Sequence, residues 1–218
     1  MKINEVIDYS VYQPSPYKPM DLTRPQDSGN TAIDSIEKLI NLLSTDYSEM
    51  LKAYRLAGGF LYRGISSHAS LIGMSIRKDR LPVELDPELH EKLHVAYTQL
   101  GIPATRKNAI FCSAKLSIAK SWGSNPYIVF VKNGWSGSVL NDIIDGYAYD
   151  YFEDMVDLSV DELKEKIIEL EPVVFSDASS MARVITSGYA DVLITGNYYI
   201  GLNVNKISSR VIDFIEKG

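Results

Sequence analysis

Gly58-Gly59-Phe60-Leu61-Tyr62-Arg63-Gly64 is the stretch around which the rest of the chain organises itself. Two glycines stop the helical pattern that precedes them. Three apolar residues follow, then a single arginine, then another glycine. An apolar run bounded by glycines has the pattern of a buried strand. A guanidinium at the tip of such a strand is costly unless an anion faces it. A glycine after it leaves the backbone open to close approach. Arg63 is therefore a candidate anchor for a phosphate-bearing ligand. The plainer alternative is an arginine that surfaces at a strand end and pairs with a carboxylate.

Upstream, Pro14, Pro16, Pro19 and Pro25 lie among Tyr9, Tyr12 and Tyr17, so residues 1–30 are expected to form an extended arm. One domain is expected over 31–218. Ile33, Ile36, Leu39, Ile40 and Leu43 fall at helical spacing. Ser44-Thr45-Asp46 can cap a second helix carrying Met50, Leu51 and Tyr54. Downstream of the central strand, a polar and glycine-containing segment leads to Ile76–Pro82. A helix is expected over Pro87–Leu100, strands at Ala109–Cys112 and Tyr127–Val131, and a short helix between them over Ala114–Trp122. Residues 133–158 carry no clear pattern. Helices follow around Val160–Leu170 and Ala178–Thr186, with a strand at Val173–Phe175 between them. Asp191–Ile194 and Tyr198–Leu202 look like a hairpin turning at Gly196-Asn197, and Ile207–Ile215 is amphipathic. Early helices followed by later strands favour an α+β fold over a doubly wound parallel sheet.

The 218 residues carry a net charge of -6, which does not favour duplex nucleic acid as a partner. Cys112 is the single cysteine, so no disulfide can form within the chain, as suits a reducing compartment. No apolar run approaches the ~20 residues that span a bilayer. The first residues lack the apolar core of a signal peptide. A cytoplasmic location is expected.

One formal metal motif is present. His90-Glu91-Lys92-Leu93-His94 matches H-E-x-x-H, which on a helix places both histidines on one face. A catalytic zinc needs a third protein ligand, and the remaining histidine, His68, lies upstream. Lys92 also brings a cation into the motif. A zinc peptidase is thus a lesser alternative, and no metal is expected. Cys112 has the setting of a small core residue.

Two further stretches matter. In Phe111-Cys112-Ser113-Ala114-Lys115 a strand ends in a serine that can cap the next helix. In Ser187-Gly188-Tyr189-Ala190-Asp191-Val192-Leu193-Ile194 a Ser-Gly loop delivers a carboxylate to the start of an apolar strand. Taken with Tyr62-Arg63-Gly64, these stretches resemble, in order, the three motifs of the arginine–serine–glutamate class of mono-ADP-ribosyltransferases. The detail is closest to bacteriophage-encoded ADP-ribosyltransferase-like proteins, which carry segments like Arg77-Lys78-Asp79-Arg80-Leu81-Pro82, Ala104–Phe111 and Tyr198-Tyr199. The resemblance spans about residues 58–202. Two motifs depart from the family pattern. In the Glu-x-Glu loop, Asp191 replaces the catalytic glutamate and Tyr189 the first residue. Ala114 or Lys115 replaces the second hydroxyl of its Ser-Thr-Ser motif.

The resemblance implies a split β-sheet core with N-terminal helices. It implies NAD as substrate, cleaved at the nicotinamide–ribose bond, and transfer of ADP-ribose to a macromolecule, a host protein in a phage setting. Asp191 would stabilise the positive charge that builds on the ribose. Arg63 would hold the pyrophosphate, helped by Arg80 or Arg106. The Gly64 backbone would bond the nicotinamide amide, and Ser113 would orient Arg63 or the ribose. Trp122 and Tyr127 are the candidates for stacking on nicotinamide. Tyr189 would face the acceptor, where it cannot serve as a carboxylate base, its ordinary pKa being about 10. A non-catalytic NAD-binding module is the main alternative.

Overall fold

A computed structural model describes residues 20–23, 33, 35–82, 85–141, 143 and 148–217. In chain order its elements are β1 (Met20–Asp21), α1 (Ile36–Thr45), α2 (Ser48–Ala57), β2 (Tyr62–Ile65), β3 (Leu71–Ser75), α3 (Pro87–Gln99), β4 (Ile110–Cys112), α4 (Leu116–Ser121) and β5 (Asn125–Val131). They continue with β6 (Ser136–Leu140), α5 (Ala148–Phe152), α6 (Val160–Glu169), β7 (Pro172–Phe175), α7 (Ala178–Ser187), β8 (Val192–Thr195), β9 (Tyr198–Asn203) and α8 (Ser209–Lys217).

The strands form two antiparallel sheets, ordered β1-β3-β9-β5-β2 and β4-β8-β6-β7. With the helices around them, this is an α+β fold. The expected arm at 1–30 falls largely outside the described residues; within it, β1 pairs with β3.

Local chemistry explains the helix ends. The Ser35 hydroxyl accepts the Lys38 amide at the start of α1. α2 stops at Gly58, which takes a left-handed conformation at φ 62° and returns its N–H to the Tyr54 carbonyl. The Ser44–Asp46 segment closes α1 instead of capping α2, whose N-cap is Tyr47 without a side-chain bond. α6 and α7 both open with capping boxes, Ser159–Glu162 and Asp177–Ser180.

The main core lies between these helices and the two sheets. α2 packs on α7, and the Tyr54 hydroxyl donates to the Val129 carbonyl while its ring meets Phe60 and Phe130 edge-on. A second core joins α3 and α6 through Leu89, Leu93, Leu163 and Ile167, with Phe152 beside them.

Two further expectations are corrected, and one stretch left without a pattern takes form. The strands around Gly196-Asn197 are not a hairpin: β8 pairs with β4 and β6, β9 with β3 and β5, so the turn carries the chain from one sheet to the other. Leu71–Ser75, read as part of a polar segment, is β3. β6 forms within the stretch left without a pattern. There Gly137 is required because a Cβ would meet the Phe175 ring at 2.2 Å, and the buried Ser138 hydroxyl donates to the Ala104 carbonyl.

Candidate ligand-binding cleft

The two sheets touch where β2 and β4 begin to run together. Tyr62 and Ser113 exchange both backbone hydrogen bonds at 2.8 Å, as an isolated antiparallel pair. Cys112 pairs with Val192, which puts Asp191 one step beyond β8, beside the same junction. A cleft of about 600 Å³ opens here. Arg63, Gly64, Arg80, Arg106, Trp122 and Asp191 are among the residues that line it, gathered from five separate parts of the chain.

Phe111 organises the cations. Its carbonyl accepts the Arg63 Nη1–H at 2.7 Å. Its ring lies under the guanidinium groups of Arg80 and Arg106, at 4.7 and 4.6 Å from the centroid. Arg80 also donates to the Ala109 carbonyl at 3.2 Å. Burial pushes its pKa down to about 9, with the charges of Arg63, Arg77 and Arg106 adding to the effect. Arg80 is still a cation at neutral pH, but one crowded by like charge. Asp191 is 7% exposed, and its Oδ2 takes an Arg106 Nη1–H at 3.4 Å.

Gly64 is fixed by packing. A Cβ there would sit 2.1 Å from the Ala119 carbonyl oxygen and 2.6 Å from the Gly123 nitrogen. A Cβ on Gly123 would in turn sit 2.6 Å from the Ile65 nitrogen. The paired glycines let the end of α4 lie directly on β2. On the side where a Cβ would point, Gly64 is thus covered by the end of α4, while the residue still lines the cleft; the same contact sets Trp122, the C-cap of α4, on the cleft wall.

Of the residues singled out from sequence, Arg63, Gly64, Arg80, Arg106, Trp122 and Asp191 share the cleft, and three do not line it. Ser113 is fully buried; its Oγ accepts the Lys115 amide at 3.0 Å and donates to the Tyr189 carbonyl at 3.4 Å. Arg63 is held instead by the Phe111 carbonyl and by a hydrogen bond with the Tyr199 hydroxyl. Tyr127 is also fully buried, its hydroxyl donating to the Ser67 and Ala69 carbonyls, which leaves Trp122 as the stacking candidate. Tyr189 is buried as well, with its hydroxyl donating to Asn141 Oδ1 and its carbonyl accepting the Ala114 amide. It braces the loop ahead of β8.

Phe111 and His90 were not assigned to this site from sequence, although both line it. The alternation of Ile110, Phe111 and Cys112 along β4 is the signal that could have found Phe111. It turns Phe111 away from the core that holds its two neighbours. The H-E-x-x-H residues each have protein partners: His90 the Arg80 carbonyl, Glu91 the Lys107 ammonium, His94 the Thr105 hydroxyl. Among the described residues, no group of three His, Cys, Asp or Glu side chains is placed to hold a metal ion. Cys112 is fully buried, which pushes its thiol up to about 12. No described helix is long and apolar enough to cross a membrane.

No family model matches the chain, and neither does any curated protein or solved structure.

Proposed function

We propose that the chain is a mono-ADP-ribosyltransferase that cleaves NAD and transfers ADP-ribose to a macromolecular acceptor, a host protein if the chain is phage-borne. One observation carries the reading: Arg63 and Asp191, 128 positions apart in the sequence (191 − 63), line the same cleft. Its supporting feature is charge. Three guanidinium groups, on Arg63, Arg80 and Arg106, outnumber the two lining carboxylates, Asp191 and Asp150, which suits a ligand carrying a pyrophosphate.

In this reading the arginines grip the pyrophosphate and Trp122 offers a ring to the nicotinamide. The bond from ribose C1′ to the nicotinamide nitrogen breaks, and its electron pair leaves with the now neutral nicotinamide. Positive charge builds on the ribose, where the Asp191 carboxylate offsets it. An acceptor nucleophile then bonds to C1′ and gives up its proton. With Tyr189 bracing a loop, the nature of the acceptor group is set by what approaches the mouth of the cleft.

The test is nicotinamide release from NAD, with label from the adenosine half followed into a bacterial lysate. Asp191→Asn removes the charge at nearly constant size and should slow release by about 100- to 1,000-fold. Arg63→Ala should weaken NAD binding. Thermal stabilisation by NAD without any nicotinamide release would instead establish a binding module. Neither stabilisation nor release would remove NAD from consideration.

A further inference from the structure

The H-E-x-x-H run on α3 finds a use that is not metal binding. Two loops bring Arg80 and Arg106 to the Phe111 ring: the one leading from β3 towards α3, and the one between α3 and β4. They are tied to each other by the Arg80 N–H, which donates to the Lys107 carbonyl at 2.9 Å. His90, Glu91 and His94 each also hold one of them. His90 is 5% exposed, and its Nε2 lies 3.0 Å from the Arg80 carbonyl oxygen, so Nε2–H is the donor. Glu91 forms an ion pair with Lys107. His94 Nδ1 lies 2.9 Å from the Thr105 hydroxyl, whose oxygen also takes the Lys107 amide at 3.3 Å. Thr105 and Lys107 flank Arg106. Three side chains within one and a half turns of helix thus fix residue 80 and both neighbours of residue 106.

We infer that His90, Glu91 and His94 are positioning residues that hold Arg80 and Arg106 ready for an anionic ligand. The inference rests on the proposed function only in taking the cleft as the binding site; its ligand class is a diphosphate. Ordering two long cationic side chains before binding removes entropy that the ligand would otherwise have to supply. The bracket supplies that order through the two loops: His90, which also lines the cleft, holds the Arg80 carbonyl, and Glu91 and His94, which do not line it, act through Lys107 and Thr105.

Substitution of Glu91 separates this role from simple electrostatics. Removing a carboxylate near a cationic cleft should tighten anion binding if only long-range charge matters. Loss of the bracket predicts the opposite. The probes are ADP-ribose and inorganic pyrophosphate, titrated calorimetrically into the full chain. Glu91→Ala should weaken both by about threefold, as suits a half-exposed ion pair. His90→Leu should weaken both by about tenfold, since the hydrogen bond to the partly buried Arg80 carbonyl is lost. His90→Gln, which keeps a donor, should recover most of the affinity. In Glu91→Ala the melting temperature should stay within a few degrees of wild type, so a folding defect in His90→Leu leaves the inference testable.

Unchanged or tighter pyrophosphate binding in Glu91→Ala would overturn the inference. Equimolar binding of Zn²⁺ alone, lost in His90→Gln, would also overturn it. If the variants weaken pyrophosphate binding while the wild type releases no nicotinamide from NAD, the bracket stands and the transferase reading falls. If the wild type cleaves NAD while the variants bind both probes as it does, the bracket falls and the transferase reading stands.

Discussion

Gly64→Ala tests the way the cleft is built. The new methyl carbon would sit 2.1 Å from the Ala119 carbonyl oxygen, 2.6 Å from the Gly123 nitrogen and 2.9 Å from the Trp122 carbonyl carbon. Non-bonded heavy atoms attract best at ~3.5–4.0 Å, so β2 and α4 must part by more than ~1 Å. All three obstacles are backbone atoms, and no flexible side-chain end can move aside. Overpacking of this kind costs about 1–3 kcal/mol, and the absence of a yielding partner places this case near ~3. For a chain of this size that is a fall of roughly 6–12 °C in melting temperature. The same shift carries Trp122 away from the cleft by about 1 Å, enough to slow a positioned reaction by about a hundredfold. Urea and thermal melts check the first figure, and nicotinamide release checks the second. Gly134→Ala is the control: its φ is +87° with open space around the position. It should cost about 1–2 kcal/mol through backbone strain and leave the affinity for ADP-ribose unchanged. A Gly64→Ala protein that melts within 2 °C of wild type (about 0.5–1 kcal/mol) would refute the close docking of α4 on β2.

Arg63→Lys keeps the charge but loses the planar fork, one arm of which bonds the Phe111 carbonyl. ADP-ribose affinity should fall by about tenfold, read by calorimetry. With its thiol pushed up to about 12, Cys112 should be about one ten-thousandth thiolate at pH 8, so an alkylating reagent should label it only after denaturation. Burial holds the pKa values of both His90 and His94 below the usual 6.5. Near and below pH 6.5 the unfolded chain binds protons that the folded chain refuses, so stability should drop as pH falls from about 6.5 to the folded values and level off beneath them. Urea midpoints across pH 7.5–5 check this, and His90→Gln should flatten the slope.

Except for the short α5, which falls in the stretch left without a pattern, the helices were legible because their signals are local. Gly58 and Gly188 end α2 and α7 in left-handed conformations, and the apolar spacing in α1, α3 and α6 matches the faces that are buried. β3 was not legible. Its Leu71, Ile72 and Gly73 are buried by partners from the two ends of the chain, β1 and β9. β6 hid behind Ser136-Gly137-Ser138, whose small residues suit a loop until Phe175 and Ala104 are placed beside them. The turn at Gly196-Asn197 is real, but a two-residue turn does not reveal that its flanking strands choose different neighbours. At the cleft, order along the chain pointed to Arg63 and Asp191, which the fold brings to one cleft. Ser113 and Tyr127, named with them, turn their hydroxyls to backbone carbonyls away from it, and strand position does not tell which way a hydroxyl turns. Phe111 stands in the quoted stretch Phe111–Lys115, but it assembles the arginines through a carbonyl and a ring face, which that stretch does not reveal.

The crossing at Gly196-Asn197 also limits how the molecule can move. Lys78 donates to the Thr195 hydroxyl and the Gly196 carbonyl, Ile76 N–H donates to the Asn197 carbonyl, and the Thr195 hydroxyl donates to the Asn108 carbonyl. The sheets are therefore fastened at this crossing and again at the Tyr62–Ser113 pair. Two fixed points define an axis. A swing of one sheet about that line, a hinge without shear, breaks neither fastening but has to loosen the shared core, which packs Ile110, Val139 and Val192 of one sheet with Ile128, Phe130 and Ile200 of the other. Such a swing would widen or narrow the cleft as jaws do, and the amide protons of Tyr62 and Ser113, sitting on the axis, would be among the last near the cleft to exchange with solvent.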